Sequence, residues 1–156
     1  MRMEWGVKQD KIKAAELFKE AVEFFQKRCD GAEAESCVNL GEMYEEGYGI
    51  KQDKFKAAEL YKKGCEGGDT KGCFILAVMY KFGRGIKQDK LKTAEFYQKG
   101  CDGGDLASCW FLGLKYKSGS GIKQDKKRAK IFFGKACDMG HEAGCDNYRI
   151  LNEEGY

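Results

Sequence analysis

The sequence predicts an all-α protein, an α/α superhelix made as a solenoid of stacked helical hairpins. Three observations predict it. Eight cysteines form four pairs: Cys29 with Cys37, Cys65 with Cys73, Cys101 with Cys109 and Cys137 with Cys145. The spacing is eight positions within a pair and 36 between pairs. The word Lys-Gln-Asp-Lys recurs at Lys51, Lys87 and Lys123, again 36 apart. Apolar residues between these marks fall at offsets of three, four and seven, as in Cys73, Leu76, Ala77 and Tyr80, which is one face of a helix. A period of this length is that of a helical-hairpin repeat.

In chain order, the first unit opens with a further copy of the lysine word at Lys8, 43 residues before Lys51 rather than 36. The seven extra residues are two helical turns and rotate the apolar face by only about 20°. The reading is a lengthened first helix over Lys11 to Arg28, preceded by a loop at Gly6–Asp10 that matches Gly49–Asp53. In the later units Asp53, Asp89 and Asp125 are placed to cap the next helix, called helix B. Segments such as Lys56-Ala57-Ala58-Glu59-Leu60-Tyr61-Lys62 are good helix formers, and helix B ends near its cysteine. Glu66-Gly67-Gly68-Asp69 then breaks the chain, with Asp69 positioned to cap helix A. Helix A carries the second cysteine and stops at a glycine pair, Gly47/Gly49, Gly83/Gly85 or Gly119/Gly121. The whole chain, 1–156, is one repeat domain of four B–A units, about 6–46, 47–82, 83–118 and 119–156. No distinct capping helix marks either end, so the array is either complete in that phase or cut from a longer one. Two three-turn helices cannot bury both faces of a hairpin alone, so neighbouring units supply the missing contacts.

Even cysteine numbers at fixed spacing mean a disulfide ladder or metal sites. The ladder is the favoured reading, because there is no C-x2-C and His141 is the single histidine, a poor supply for four-ligand zinc sites. Antiparallel helices joined by a short turn bring each pair within disulfide reach. A ladder points to an oxidising compartment, so the protein is expected to be secreted or periplasmic. Met1–Trp5 has no hydrophobic core of a signal peptide, so an exported chain would be a mature form. No run approaches the ~18 apolar residues of a membrane span. Net charge is +3, with basic and acidic residues interleaved in sequence, which argues against nucleic acid as a partner.

The pattern Asn39-Leu40-Gly41-Glu42-Met43-Tyr44, Gly47, Gly49, Ile50, then Asp53, Lys56-Ala57-Ala58, Tyr61 and Lys63 resembles the Sel1-like repeat. With the cysteines at eight spacing, the chain resembles the Helicobacter cysteine-rich protein family over residues 6–156. The resemblance implies a right-handed superhelix similar to tetratricopeptide repeats, with one disulfide per unit and an exported location. It also implies penicillin binding with weak β-lactamase activity. The lengthened first helix and Ala77, where the repeat usually has Gly, depart from the pattern.

No catalytic motif accompanies that implied activity. Ser120-Gly121-Ile122-Lys123 fits Ser-x-x-K, but Tyr48 and Arg84 precede the same Gly-Ile-Lys in sister units, so the lysine is repeat template. His141 sits in a turn where sister repeats have Asp69 and Asp105, with no evident triad partner. Glu42, Glu45 and Glu46 offer carboxylates but read as a solvated face. No cofactor or metal is called for.

The better candidate is a groove. Beyond the helix A cysteine the units diverge: Val38/Asn39, Phe74/Ile75, Trp110/Phe111 and Asp146/Asn147, then Glu42, Val78, Leu114 and Ile150 one turn on. These offsets lie to one side of the core face. On an inner, concave wall they would present Phe74, Ile75, Val78, Trp110, Phe111 and Leu114 as an apolar strip flanked by Asn39 and Asn147. That arrangement is similar to the peptide groove of tetratricopeptide repeats. The alternative is packing against helix B. The expected partners are an extended peptide or protein, a cell-wall muropeptide or a β-lactam.

Overall fold

A computed structural model describes the backbone of residues 2–156 and the side chains of residues 6–156. Among them are eight helices and no strand: α1 (Arg2–Asp30), α2 (Ala34–Glu46), α3 (Lys54–Glu66), α4 (Thr70–Phe82), α5 (Lys90–Asp102), α6 (Leu106–Ser118), α7 (Lys126–Asp138) and α8 (Glu142–Glu153). Each packs on its neighbours in sequence, the pattern of a solenoid. Odd-numbered helices are the B helices and even-numbered ones the A helices.

The caps form where the residue pattern put them. Asp53, Asp89 and Asp125 accept hydrogen bonds from the backbone N–H groups of Lys56, Lys92 and Arg128, each at 2.9 Å. Asp69 and Asp105 do the same for Gly72 and Ser108.

All eight cysteines are paired as the spacing suggested. Cys29 is bonded to Cys37, with Cα atoms 4.6 Å apart. Cys65 is bonded to Cys73, also at 4.6 Å. Cys101 is bonded to Cys109, and Cys137 to Cys145, each pair with Cα atoms 4.5 Å apart. No thiolate is therefore left for zinc, and the metal alternative weighed for these residues has no ligands. Each bridge ties the last turn of a B helix to the first turns of the following A helix. Cys29, Cys37 and Cys109 are almost wholly buried between those helices. Cys137 and Cys145, in the last hairpin, are likewise bonded but only partly buried.

The first helix departs from the sequence reading. It begins at Arg2 rather than Lys11, and Gly6–Asp10 is helical rather than a loop. The sister words are held as loops by the end of the preceding A helix. Gln52 donates to the Glu45 carbonyl at 2.6 Å, and the Asp53 N–H donates to the Tyr44 carbonyl at 2.8 Å. Among the described residues, no such helix end stands beside Lys8–Asp10. Good helix formers downstream then carry the helix through. The loop glycines locate the repeat register within α1. The backbone at Gly49 lies so close to α1 that a Cβ there would be 2.5 Å from the Phe18 carbonyl carbon. Gly85 and Gly121 approach Lys54 and Lys90 in the same way. Phe18–Asp30 is therefore the structural counterpart of Lys54–Glu66, and residues 6–17 before it are exposed.

Aromatic rings on the B helices fill the core. Tyr61, Tyr97 and Phe133 are fully buried. Gly41 and Gly113 let an A helix sit directly on the next ring, since a Cβ would come within 2.9 Å of Tyr61 and 2.7 Å of Phe133. Ala77, the departure noted in the sequence, holds the same position in α4 and is fully buried. Successive repeats meet through stacked rings, Tyr80 on Phe96 at 5.7 Å and Tyr116 on Phe132 at 5.5 Å.

Candidate functional site

A cavity of about 650 Å³ opens where α1, α2 and α4 meet the loop after α2. Its walls are apolar: Phe18, Ala21 and Phe25 from α1, and Phe74, Ile75 and Val78 from α4. Tyr48 closes one side by stacking on Phe18, with ring centroids 5.1 Å apart. Phe25, Phe74, Ile75 and Val78 are partly buried, packing against the core on one side and lining the cavity on the other. The Gly49 loop packs on the α1 backbone at Phe18 and Lys19, which sets this stretch of α1 beside the cavity.

A buried polar group sits at the cavity floor. Glu45 is only 7% exposed. Its carboxylate accepts a 2.7 Å hydrogen bond from the Tyr61 hydroxyl and pairs with the Arg84 guanidinium. Burial, then the bond to Glu45, pushes the Tyr61 hydroxyl far above the ordinary tyrosine range. The network joins three repeat elements, since Glu45 is in the last turn of α2, Tyr61 is on α3 and Arg84 follows α4. At the rim, Glu42 pairs with Lys71 at 2.6 Å. Glu46 is exposed, and the Asn39 amide makes no hydrogen bond among the described residues.

Four of the eight groove residues predicted from sequence line this one cavity: Asn39, Phe74, Ile75 and Val78. The other four lie elsewhere. Trp110 and Phe111 are half-buried, in edge-on contact at 5.0 Å, with Phe111 also stacked on Tyr97 at 5.4 Å. Leu114 packs beside the cluster of Ala129, Phe133 and Leu151. The Asn147 side-chain oxygen accepts from Lys117 at 3.0 Å. Sequence reasoning missed the α1 wall, Tyr48 and the Glu45–Arg84–Tyr61 network. A signal existed for the last: the repeat has Lys81 and Lys117 where Glu45 stands, and Tyr48 and Ser120 where Arg84 stands.

The structure also places the residues weighed for catalysis. Glu45 is not on a solvated face, as the sequence suggested, but is buried and neutralised by Arg84. The Lys115 ammonium donates to the Ser120 carbonyl at 3.2 Å and not to its hydroxyl. Burial, followed by the nearby Lys81 and Lys90 charges, lowers the Lys115 pKa. His141 accepts the Gly144 N–H on Nδ1 at 2.9 Å. It is therefore the N-cap of α8, filling the place that Asp69 and Asp105 fill in sister repeats. Its ring also lies 5.1 Å from Trp110. The arrangement holds a ligand-sized apolar cleft with an ordered polar floor, and of the groups weighed as nucleophile or base, Glu42, Glu45 and His141 each have a structural bond of their own.

Among solved structures, a protective antigen present in uropathogenic Escherichia coli strains, described as displaying an SLR fold, is 26% identical. It aligns with a TM-score of 0.83 over 88% of this chain and 30% of its own. A Sel1 repeat protein from Oxalobacter formigenes is 25% identical, with a TM-score of 0.73 over 78% of this chain and 50% of its own. The chain thus spans about a third to a half of those two proteins. Helicobacter pylori cysteine-rich protein B is 31% identical, with a TM-score of 0.67 over 85% of this chain and 96% of its own. No curated protein sequence matches. The Sel1 repeat pattern matches residues 3–26, 34–69, 70–105 and 106–141, each of the last three being one A helix followed by one B helix. Repeat pattern, hairpin stack and one disulfide per hairpin agree, and the chain belongs to the Sel1 repeat family.

Proposed function

We propose that the chain is an exported, non-enzymatic interaction module that seats an extended peptide or protein segment in the cavity between α1, α2 and α4. The observation that carries this reading is the cavity itself. It pairs an apolar wall sized for side chains with a free amide, Asn39, at its edge. Pockets of this kind, mostly apolar with a few placed polar groups, are the usual form of a ligand site. The Phe74 ring lies 6.0 Å from that of Phe111, and in this reading a longer segment runs on along the A helices past Trp110, Phe111 and Leu114 to Asn147. Sel1 repeats serve as protein- and peptide-binding scaffolds, which supports the class of partner. Four disulfides fit an oxidising compartment outside the cytoplasm, and secretion or a periplasmic location follows as part of the proposal.

The test is affinity selection from a peptide library with the intact chain, with cell-wall muropeptides as a parallel arm. Asn39→Ala keeps the core intact and is expected to weaken the selected ligand about tenfold, as is Phe74→Ala. Trp110→Ala reports whether the path extends. Unchanged affinity in both Asn39→Ala and Phe74→Ala rejects the cavity. Turnover of a chromogenic cephalosporin by contaminant-free protein would reject the non-enzymatic assignment.

A further inference from the structure

Helix B starts and helix A ends share one long edge of the hairpin stack, and that edge carries Lys54-Phe55-Lys56, Lys90-Leu91-Lys92 and Lys126-Lys127-Arg128. The opposite edge, at the B-to-A turns, is mixed, with Asp69, Asp105 and Asp138 beside Lys63, Lys99 and Lys135 in the last turns of the B helices. On the basic edge, Phe55 is 61% exposed and Leu91 67%. Each apolar side chain shares a surface pocket with cations of the following repeat. Phe55 lies with Lys87 and Lys92 around one of about 650 Å³. Leu91 lies with Lys123 and Arg128 around its counterpart of about 460 Å³. The acids in these pockets are Asp89 and Asp125. Each accepts a backbone N–H as a helix cap, and Asp125 also lies 3.6 Å from Arg128. The cations are shelved on aromatic rings, Lys92 over Tyr80 at 5.1 Å and Arg128 over Tyr116 at 5.7 Å.

We propose that this edge is a peripheral docking surface for an anionic phospholipid bilayer. Phe55 and Leu91 enter the headgroup boundary, and Lys87, Lys92, Lys123 and Arg128 meet lipid phosphates. The combination decides the partner. A soluble polyanion would use the lysines and leave two large apolar side chains in water. An apolar membrane contact without charge would not flank each apolar residue with cations. Apolar side chains set among basic ones are what an anionic interface rewards. Docking is peripheral, since among the described residues no helix is long and apolar enough to cross a membrane. The same device in consecutive repeats makes the contact bivalent, which strengthens weak single-site binding.

The experiment is co-sedimentation of the disulfide-bonded chain with phosphatidylcholine vesicles, with and without about 30% phosphatidylglycerol, at ~0.1 M salt. Binding is expected only to the anionic vesicles. Lys87→Gln with Lys123→Gln should lower the partition coefficient about 25-fold, at about fivefold per lysine. Phe55→Ser with Leu91→Ser, which leaves every charge in place, should lower it about tenfold. All four positions are exposed, and far-UV circular dichroism confirms that the variants remain folded. Anionic-vesicle binding that ignores Phe55→Ser/Leu91→Ser overturns the proposal, because the surface is then a polyanion site. Absence of vesicle binding, alone or beside tight binding to heparin, overturns it as well.

Discussion

The same substitution should have opposite effects in adjacent repeats. Tyr61 and Tyr97 are 36 residues apart, both buried, and both replaceable by phenylalanine with only one oxygen lost. Tyr61 donates its hydroxyl to the buried Glu45 carboxylate at 2.7 Å. Among the described residues the Tyr97 hydroxyl has no hydrogen-bond partner, because the position equivalent to Glu45 is Lys81, whose ammonium instead lies 5.2 Å from the Phe111 ring. Tyr61→Phe removes a hydrogen bond to a charged acceptor and leaves Glu45 with Arg84 alone. The cost is about 1.5–3 kcal/mol. Tyr97→Phe removes a buried hydroxyl that lost its water on folding and gained no partner, so stability should rise by about 1 kcal/mol. The two variants should therefore differ by about 3 kcal/mol, or about 6–12 °C in Tm for a chain of this size. Thermal melting followed by circular dichroism, with disulfides intact, reads this directly. A Tyr97→Phe variant that loses as much stability as Tyr61→Phe would refute the reasoning, since it would mean that the Tyr97 hydroxyl is satisfied and the network around Glu45 is not special.

Further outcomes follow from the same contacts. Thiol titration of denatured, unreduced protein should count no free sulfhydryl, and Cys65→Ala with Cys73→Ala should cost about 2–3 kcal/mol by chain entropy; eight free thiols would contradict the ladder. His141→Asp restores the cap residue of the sister repeats, adds a favourable negative charge at the start of α8, and should stabilise that helix by about 0.5–1 kcal/mol. His141→Ala should lose about 1 kcal/mol, and amide exchange in α8 distinguishes the two. Burial raises the Tyr97 pKa to about 12 from the ordinary 10.0. The folded chain then keeps a proton that the unfolded chain releases, so this stability is present below pH 10.0 and lost as pH rises through about 12. Denaturant midpoints measured across that range should fall in the parent and fall less in Tyr97→Phe.

Much of the candidate site was legible as residues but not as a place. Asn39, Phe74, Ile75 and Val78 announced themselves by varying where the repeat is otherwise fixed, and they do share a cavity. Trp110 and Phe111 vary in the same way, yet they bury much of their surface against each other and against Tyr97. Periodicity reports which face a side chain leaves from, and only packing decides how much of it remains open. The Glu45–Arg84 pair spans 39 positions and breaks the template at both ends. Its partners meet only because consecutive hairpins stack.

By itself the sequence determined everything local to one hairpin: the period, the helix caps, the glycine stops and the cysteines that a three-residue turn brings together. Each of these is decided by residues within a few turns of one another, where covalent geometry and hydrogen bonding leave few alternatives. Only the tertiary structure decided what depends on neighbours. It extended α1 through a word that elsewhere is a loop, because the carbonyls that hold the loop belong to another helix. It buried Glu45, raised a cavity wall from α1, and set Phe55 and Leu91 beside cations of the following repeats. Those are properties of the stack, and they arise from contacts between repeats rather than from any repeat alone.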